Sequence, residues 1–151
     1  MEDCLYCKIA NGSSPSHKIW EDENHIAFLS IFPNTQGFTI LIPKKHYPAY
    51  VFDMPDDELA NIIIAAKHVG KILDAKLDDV GRTGCVLENI GVDHAHIKLI
   101  PMHGTKTIAK WEKASAYLDK FFEKYEGYLS SHESVRVDDK ILEKLAKKIT
   151  N

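Results

Sequence analysis

Two imidazoles and an ammonium stand two residues apart in His94-Ala95-His96-Ile97-Lys98. Successive side chains of an extended chain point to opposite faces. The spacing therefore predicts His94, His96, Lys98 and Ile100 on one face, with Ala95, Ile97 and Leu99 turned into a core. Three polar groups on one strand face need partners if they are buried. A single histidine is more often a satisfied structural residue than a catalyst; the company of the other two points to a site for anions, for a metal, or for both. A second constellation lies near the start, where Cys4-Leu5-Tyr6-Cys7 reads as metal-binding or redox-active. Cys85, inside an apolar run, reads as a small buried hydrophobe.

These residues must be carried by a fold, and the chain announces most of it. Residues 4–10 suit a short helix, and Asn11-Gly12-Ser13-Ser14-Pro15 is a turn signal. Strands are expected over 18–21, 25–31, 38–43, 84–88 and 95–101, with turns at Asp22-Glu23-Asn24, Pro33 to Gly37 and Gly91. Pro55 suits a first helical position, and Asp56, Asp57 and Glu58 suit the positive end of a helix dipole. Leu59, Ile62, Ile63, Ala66, Val69, Leu73 and Leu77 then recur at intervals of three and four, predicting a long helix with one apolar stripe. Trp111, Ala114, Leu118, Phe121, Phe122 and Tyr125 have helical spacing as well, as do Ile141, Leu142, Leu145 and Ile149. Strands, a helix, strands, then helices imply an α+β domain with a largely antiparallel sheet of five strands.

At 151 residues the length suits a single domain over 1–151, with a core at about 3–103 and a helical extension at about 105–151. Apolar residues make up 44% and charged residues 27%, a balance that excludes a disordered chain. No apolar stretch approaches the ~18–20 residues of a membrane helix, and no secretory signal is visible, so a cytoplasmic protein without a membrane partner is expected. A formal charge of −3 argues against an extended nucleic-acid surface, though not against a small phosphorylated ligand.

The motifs together resemble the histidine triad (HIT) family of nucleotide-binding proteins, whose mark is a His-φ-His-φ-His-φ-φ run near the end of the last core strand. Here that run is His94-Ala-His96-Ile-Lys98-Leu-Ile, and the other landmarks follow in the family's order: Cys4-Leu-Tyr-Cys7, Trp20-Glu-Asp, Ala27-Phe-Leu, Gly37 through His46, the long helix and Asn89. The resemblance implies a HIT-like fold, a homodimer through the long helix and sheet edge, and a purine nucleotide as small-molecule partner. It implies His96 as the nucleophile that attacks a nucleotide α-phosphorus, forming a covalent nucleotidyl-imidazole that water hydrolyses. Asn89 and Lys98 would assist phosphate binding, Ser30 would touch the ribose, and Leu5, Tyr6, Ile9, Phe28 and Ile31 would form the base slot or simply pack in the core. Some members of the family carry a structural zinc, whose ligands here would be Cys4, Cys7, His46 and His94.

Three departures from the family pattern stand out. Lys98 replaces the third histidine, the polar loop usually found between Asn89 and the first histidine is reduced to Ile-Gly-Val-Asp, and Ser30 replaces a ribose-gripping aspartate. The expected function is a nucleoside phosphoramidate or dinucleoside polyphosphate hydrolase or transferase; the alternative is a nucleotide-binding regulatory module with weak or lost catalysis.

Overall fold

A computed structural model describes residues 4–106, 118–130 and 136–150. They fall into two compact units, one within 1–111 and the other within 112–151. In the first unit, strands β1 (His17–Glu21), β2 (His25–Leu29), β3 (Thr39–Pro43), β4 (Thr83–Val86) and β5 (Ile97–Pro101) form one sheet in the order β1-β2-β3-β5-β4. Every pairing is antiparallel. Helix α1 (Leu5–Ala10) precedes the sheet, and helix α2 (Asp56–Lys76) crosses from β3 to β4.

Alternation along the strands gives the sheet two apolar faces, each with its own helix. Ala27, Leu41, Ile97 and Leu99 pack with Ile62, Ala65, Ala66, Val69 and Leu73 of α2. Ile26, Phe28, Ile40 and Ile42 face the other way, where Tyr6 and Ile9 of α1 cover them. The long-helix expectation stands with two corrections. Pro55 is the N-cap residue rather than the first helical one. Ile63 is 43% exposed, because at 3.6 residues per turn it lies about 100° around from Ile62, off the face that meets the sheet. Cys85 is a further correction: its strand β4 ends the sheet, and its side chain is exposed rather than buried.

Residues 102–106 fold back beside the start of β4. Gly81 permits this, since a Cβ there would lie 2.5 Å from the Thr105 carbonyl oxygen. His103 clamps the segment, with Nδ1 2.8 Å from Asp79 Oδ1 and Nε2 2.9 Å from the Gln36 carbonyl oxygen. The Gln36 carbonyl and then the Asp79 carboxylate raise the His103 pKa above its ordinary value. A group whose folded pKa is raised contributes stability in full below its unfolded value, ~6.5, and loses it as pH rises through the folded value. The melting temperature of His103→Gln is therefore expected to fall below wild type at about pH 6 and to converge on it above the raised value. Curves that coincide would show that the clamp contributes nothing, and curves offset equally at every pH that its contribution does not depend on the His103 charge.

In the second unit, helix α3 (Asp139–Thr150) carries the expected final stripe. The aromatic stripe before it does not form a helix over its described part: residues 118–130 have no regular secondary structure, and Trp111 and Ala114 lie outside the described residues. Phe121 and Tyr125 are exposed there. Helical spacing alone does not hold a helix in water; a packed apolar face does. Lys120 instead lies 4.7 Å from the Phe122 ring centroid and donates to Glu126 and the Tyr128 hydroxyl oxygen. Among the described residues, no helix is long and apolar enough to cross a membrane.

Candidate active site and metal centre

The polar row lies where β5 begins. Regular pairing starts only at Ile97, but Ala95 N–H donates to the Tyr47 carbonyl at 2.9 Å and holds the approach to the strand. His94 and His96 are both buried in consequence, among the few buried polar residues of the described part. Each ring is fixed at one nitrogen by a backbone carbonyl. His94 Nε2–H donates to the Pro43 carbonyl at 2.9 Å, and His96 Nδ1–H donates to the His94 carbonyl at 2.7 Å. A carbonyl can only accept, so these bonds set the neutral tautomers: the lone pair is on Nδ1 in His94 and on Nε2 in His96. Burial pulls both imidazoles below their ordinary pKa, against the opposing carbonyl bonds, which keeps them neutral near pH 7.

The two free lone pairs face different surroundings. His94 Nδ1 is 3.5 Å from Cys4 Sγ and 3.5 Å from Cys7 Sγ, and His46 Nδ1 is 3.5 Å from Cys7 Sγ. The four ligand atoms of Cys4, Cys7, His46 and His94 all lie within 4.8 Å of one another. With the His94 proton committed to Pro43, its Nδ1 is an acceptor aimed at two sulfurs, an arrangement that a cation completes. Metal–sulfur and metal–nitrogen lengths of about 2.3 and 2.0–2.1 Å in a tetrahedron give sulfur–nitrogen edges of about 3.5 Å. The donor set and its spacing fit a closed metal site, and Pro43 supplies the outer hydrogen bond that orients a ligating histidine. The site also ties α1 to the sheet.

His96 Nε2 has no such company. The ring is 2% exposed, with Tyr6 edge-on at 5.3 Å between centroids. Among the described residues, His25 Nε2 and Asn89 Oδ1 are buried side-chain atoms without a hydrogen-bond partner; His96 Nε2 is not of that kind.

The remaining expected site residues are placed as follows. Tyr6, Ile9 and Phe28 are buried in the cluster under α1, with Tyr6 and Phe28 edge-to-face at 5.7 Å. Leu5 and Ile31 are exposed, Ile31 at 70%. Ser30 Oγ accepts the Phe32 N–H at 3.1 Å. Asn89 is buried in a left-handed conformation at φ 49° and donates Nδ2–H to the Ala49 carbonyl at 2.7 Å. Lys98 donates to the Glu88 carboxylate in direct contact. Burial pushes the Lys98 ammonium down, and the touching carboxylate works against that shift. Glu88 is a residue that sequence reasoning missed; its place beside Asn89 and two beyond Val86, the Lys98 partner in β4, was the available signal. His103 has both ring nitrogens engaged by Asp79 and Gln36.

An antiparallel five-stranded sheet, one crossing helix and a buried histidine pair leading into β5 define the class of this domain. The chain belongs to the HIT family: the HIT domain model matches residues 11–105. An uncharacterized HIT-like protein of Methanocaldococcus jannaschii is 36% identical over 132 residues, covering 82% of this chain and 99% of its own. The adenosine 5′-monophosphoramidase HNT1 of Saccharomyces cerevisiae is 37% identical over 125 residues, covering 78% of this chain and 75% of that one. The crystal structure of SMU.412c from Streptococcus mutans superposes with a TM-score of 0.67 at 29% identity, over 99% of this chain and 85% of that one.

Proposed function

We propose that this protein is a hydrolase or transferase acting at a nucleotide α-phosphate through a covalent adduct on His96. The observation that carries the reading is the 2.7 Å bond from His96 Nδ1 to the His94 carbonyl, which leaves Nε2 as an unprotonated nucleophile. Nε2 attacks the α-phosphorus and forms an N–P bond; the leaving group departs with the electron pair of the broken bond. The departing nitrogen takes a proton from solvent. Water then attacks the same phosphorus, the N–P bond breaks with its electron pair returning to Nε2, and the water's proton goes to solvent, leaving the imidazole neutral. The yeast relative is an adenosine 5′-monophosphoramidase, which makes a nucleoside phosphoramidate the first substrate to assay.

In this reading exposed Leu5 and Ile31 offer the base an apolar surface, the buried Tyr6, Ile9 and Phe28 form the core behind it, and Ser30 reaches the ribose. Asn89 serves by holding the turn before the histidines through Ala49. The metal centre takes zinc through Cys4, Cys7, His46 and His94, whose two thiols and two imidazoles are its preferred donors. Bound there, zinc would supply a structural cross-link, not a reacting group. The catalytic domain is the unit within 1–111, and exposed Ile63 and Ile64 on α2, together with the open edge of β4, support a homodimer. Rapid quenching of a mixture with adenosine 5′-phosphoramidate, followed by mass analysis, should find adenylyl mass on the peptide that holds His96. Turnover without such an adduct would exclude the covalent route.

A second reading has its own observation. Lys98 is neutralised by Glu88, so the third position adds little positive charge for stabilising a phosphoryl transition state. That favours a nucleotide-binding regulatory module with weak catalysis, which tight nucleotide binding without adduct or turnover would support.

A further inference from the structure

The third place in the polar row holds an internal ion pair. One Glu88 oxygen takes the Lys98 ammonium, and the other accepts the Ile90 N–H at 2.8 Å. Both side chains are mostly withdrawn from solvent, at 24% exposure for Lys98 and 14% for Glu88. The two bonds, one to each carboxylate oxygen, together hold the carboxylate beside Lys98. Lys98 is registered opposite Ile40, which belongs to the same cluster as Tyr6, and Tyr6 meets the His96 ring. The ion pair and the His96 ring therefore share one side of the sheet, about 7 Å apart along the chain.

A lone ammonium at that place would attract phosphate of any kind. A paired one adds little net charge, because the carboxylate in contact with it offsets most of the attraction that the ammonium alone would exert on further negative charge. Every substrate of the proposed reaction brings an α-phosphate; the difference lies in the leaving group. In a nucleoside phosphoramidate the protonated nitrogen departs as a neutral amine, taking the electron pair of the P–N bond. In a dinucleoside polyphosphate the oxygen departs as a phosphate that carries the negative charge of its chain past Glu88. We infer that Glu88 is a specificity-determining residue, biasing the site toward α-phosphate substrates with uncharged leaving groups and against those that leave as phosphate anions. The inference rests on the reading of His96 as nucleophile.

The test compares wild type with Glu88→Gln on adenosine 5′-phosphoramidate and on a diadenosine polyphosphate at equal ionic strength. Glutamine keeps the length and an acceptor for the Ile90 N–H, removes the negative charge and releases that of Lys98. The kcat/KM ratio of polyphosphate to phosphoramidate should rise about tenfold, through KM, and the gain should shrink in high salt. Glu88→Asp, which keeps the charge, should hold the wild-type ratio. An unchanged or lowered ratio in Glu88→Gln, with His96-dependent turnover intact, overturns the role of Glu88 alone. Absence of any His96-dependent turnover in wild type overturns the proposed function, and this inference with it.

Discussion

Replacing His96 by alanine is expected to lower kcat/KM for a nucleoside phosphoramidate by at least about 10³-fold, with nucleotide binding weakened far less. The asymmetry follows from where the side chain works. Its Nε2 forms the bond to phosphorus, so its loss removes the step itself, whereas the base and ribose contacts proposed for α1, β2 and the residues just after β2 are left in place. Alanine also removes a buried ring against Tyr6 and leaves the His94 carbonyl without its donor. That costs stability of about 1–3 kcal/mol, so the comparison is made below the melting point of the variant. Asparagine at the same position retains a donor and serves as the second variant. Turnover within about tenfold of wild type in both would show that the reaction does not pass through this imidazole.

How much of this site is legible before folding depends on how local its causes are. The alternation through His96, Lys98 and Ile100 is visible because a strand writes its faces in steps of two, and the opposite residues Ile97 and Leu99 do enter the α2 core. Helix α2 is equally legible, since twenty-one residues repeat their apolar face; the misplacement of Ile63 reflects only where the stripe's edge falls. The Cys pair is local too, but nothing in its spacing names His46 and His94, which come to it across 39 and 87 residues. Those partners were readable through the family pattern and not through the chain's own periodicity. The Glu88–Lys98 pair escaped notice for a related reason: it depends on β4 lying beside β5 in a particular register. Cys85 misled because an apolar neighbourhood in sequence does not distinguish an inner strand from an edge strand. The stretch before α3 misled because 3.6-residue spacing is necessary for an amphipathic helix without being sufficient for one.

Stripping the metal should cost the protein its N-terminal helix before its core. Protein purified without chelator is expected to carry about one zinc per chain, since two thiols and two imidazoles converge within 4.8 Å and the His94 lone pair already points at both sulfurs. A site filled at a thousandfold excess over its Kd stabilises by about 4 kcal/mol, which for a chain of this size is about 10–15 °C in melting temperature. The sheet and α2 form a separate apolar cluster that includes neither cysteine, so most far-ultraviolet dichroism should survive removal. What should change is the α1 side: Tyr6 is carried there, and its ring lies against both Phe28 and His96. Chelation, or serine at Cys4 and Cys7 together, is therefore expected to lower the melting temperature by that amount and to depress turnover with it. Zinc added back should restore the chelated wild type and leave the double variant unchanged. Substoichiometric metal in the native protein, or a melting temperature indifferent to chelator, would mean that the four residues hold α1 by thiol and imidazole contacts alone.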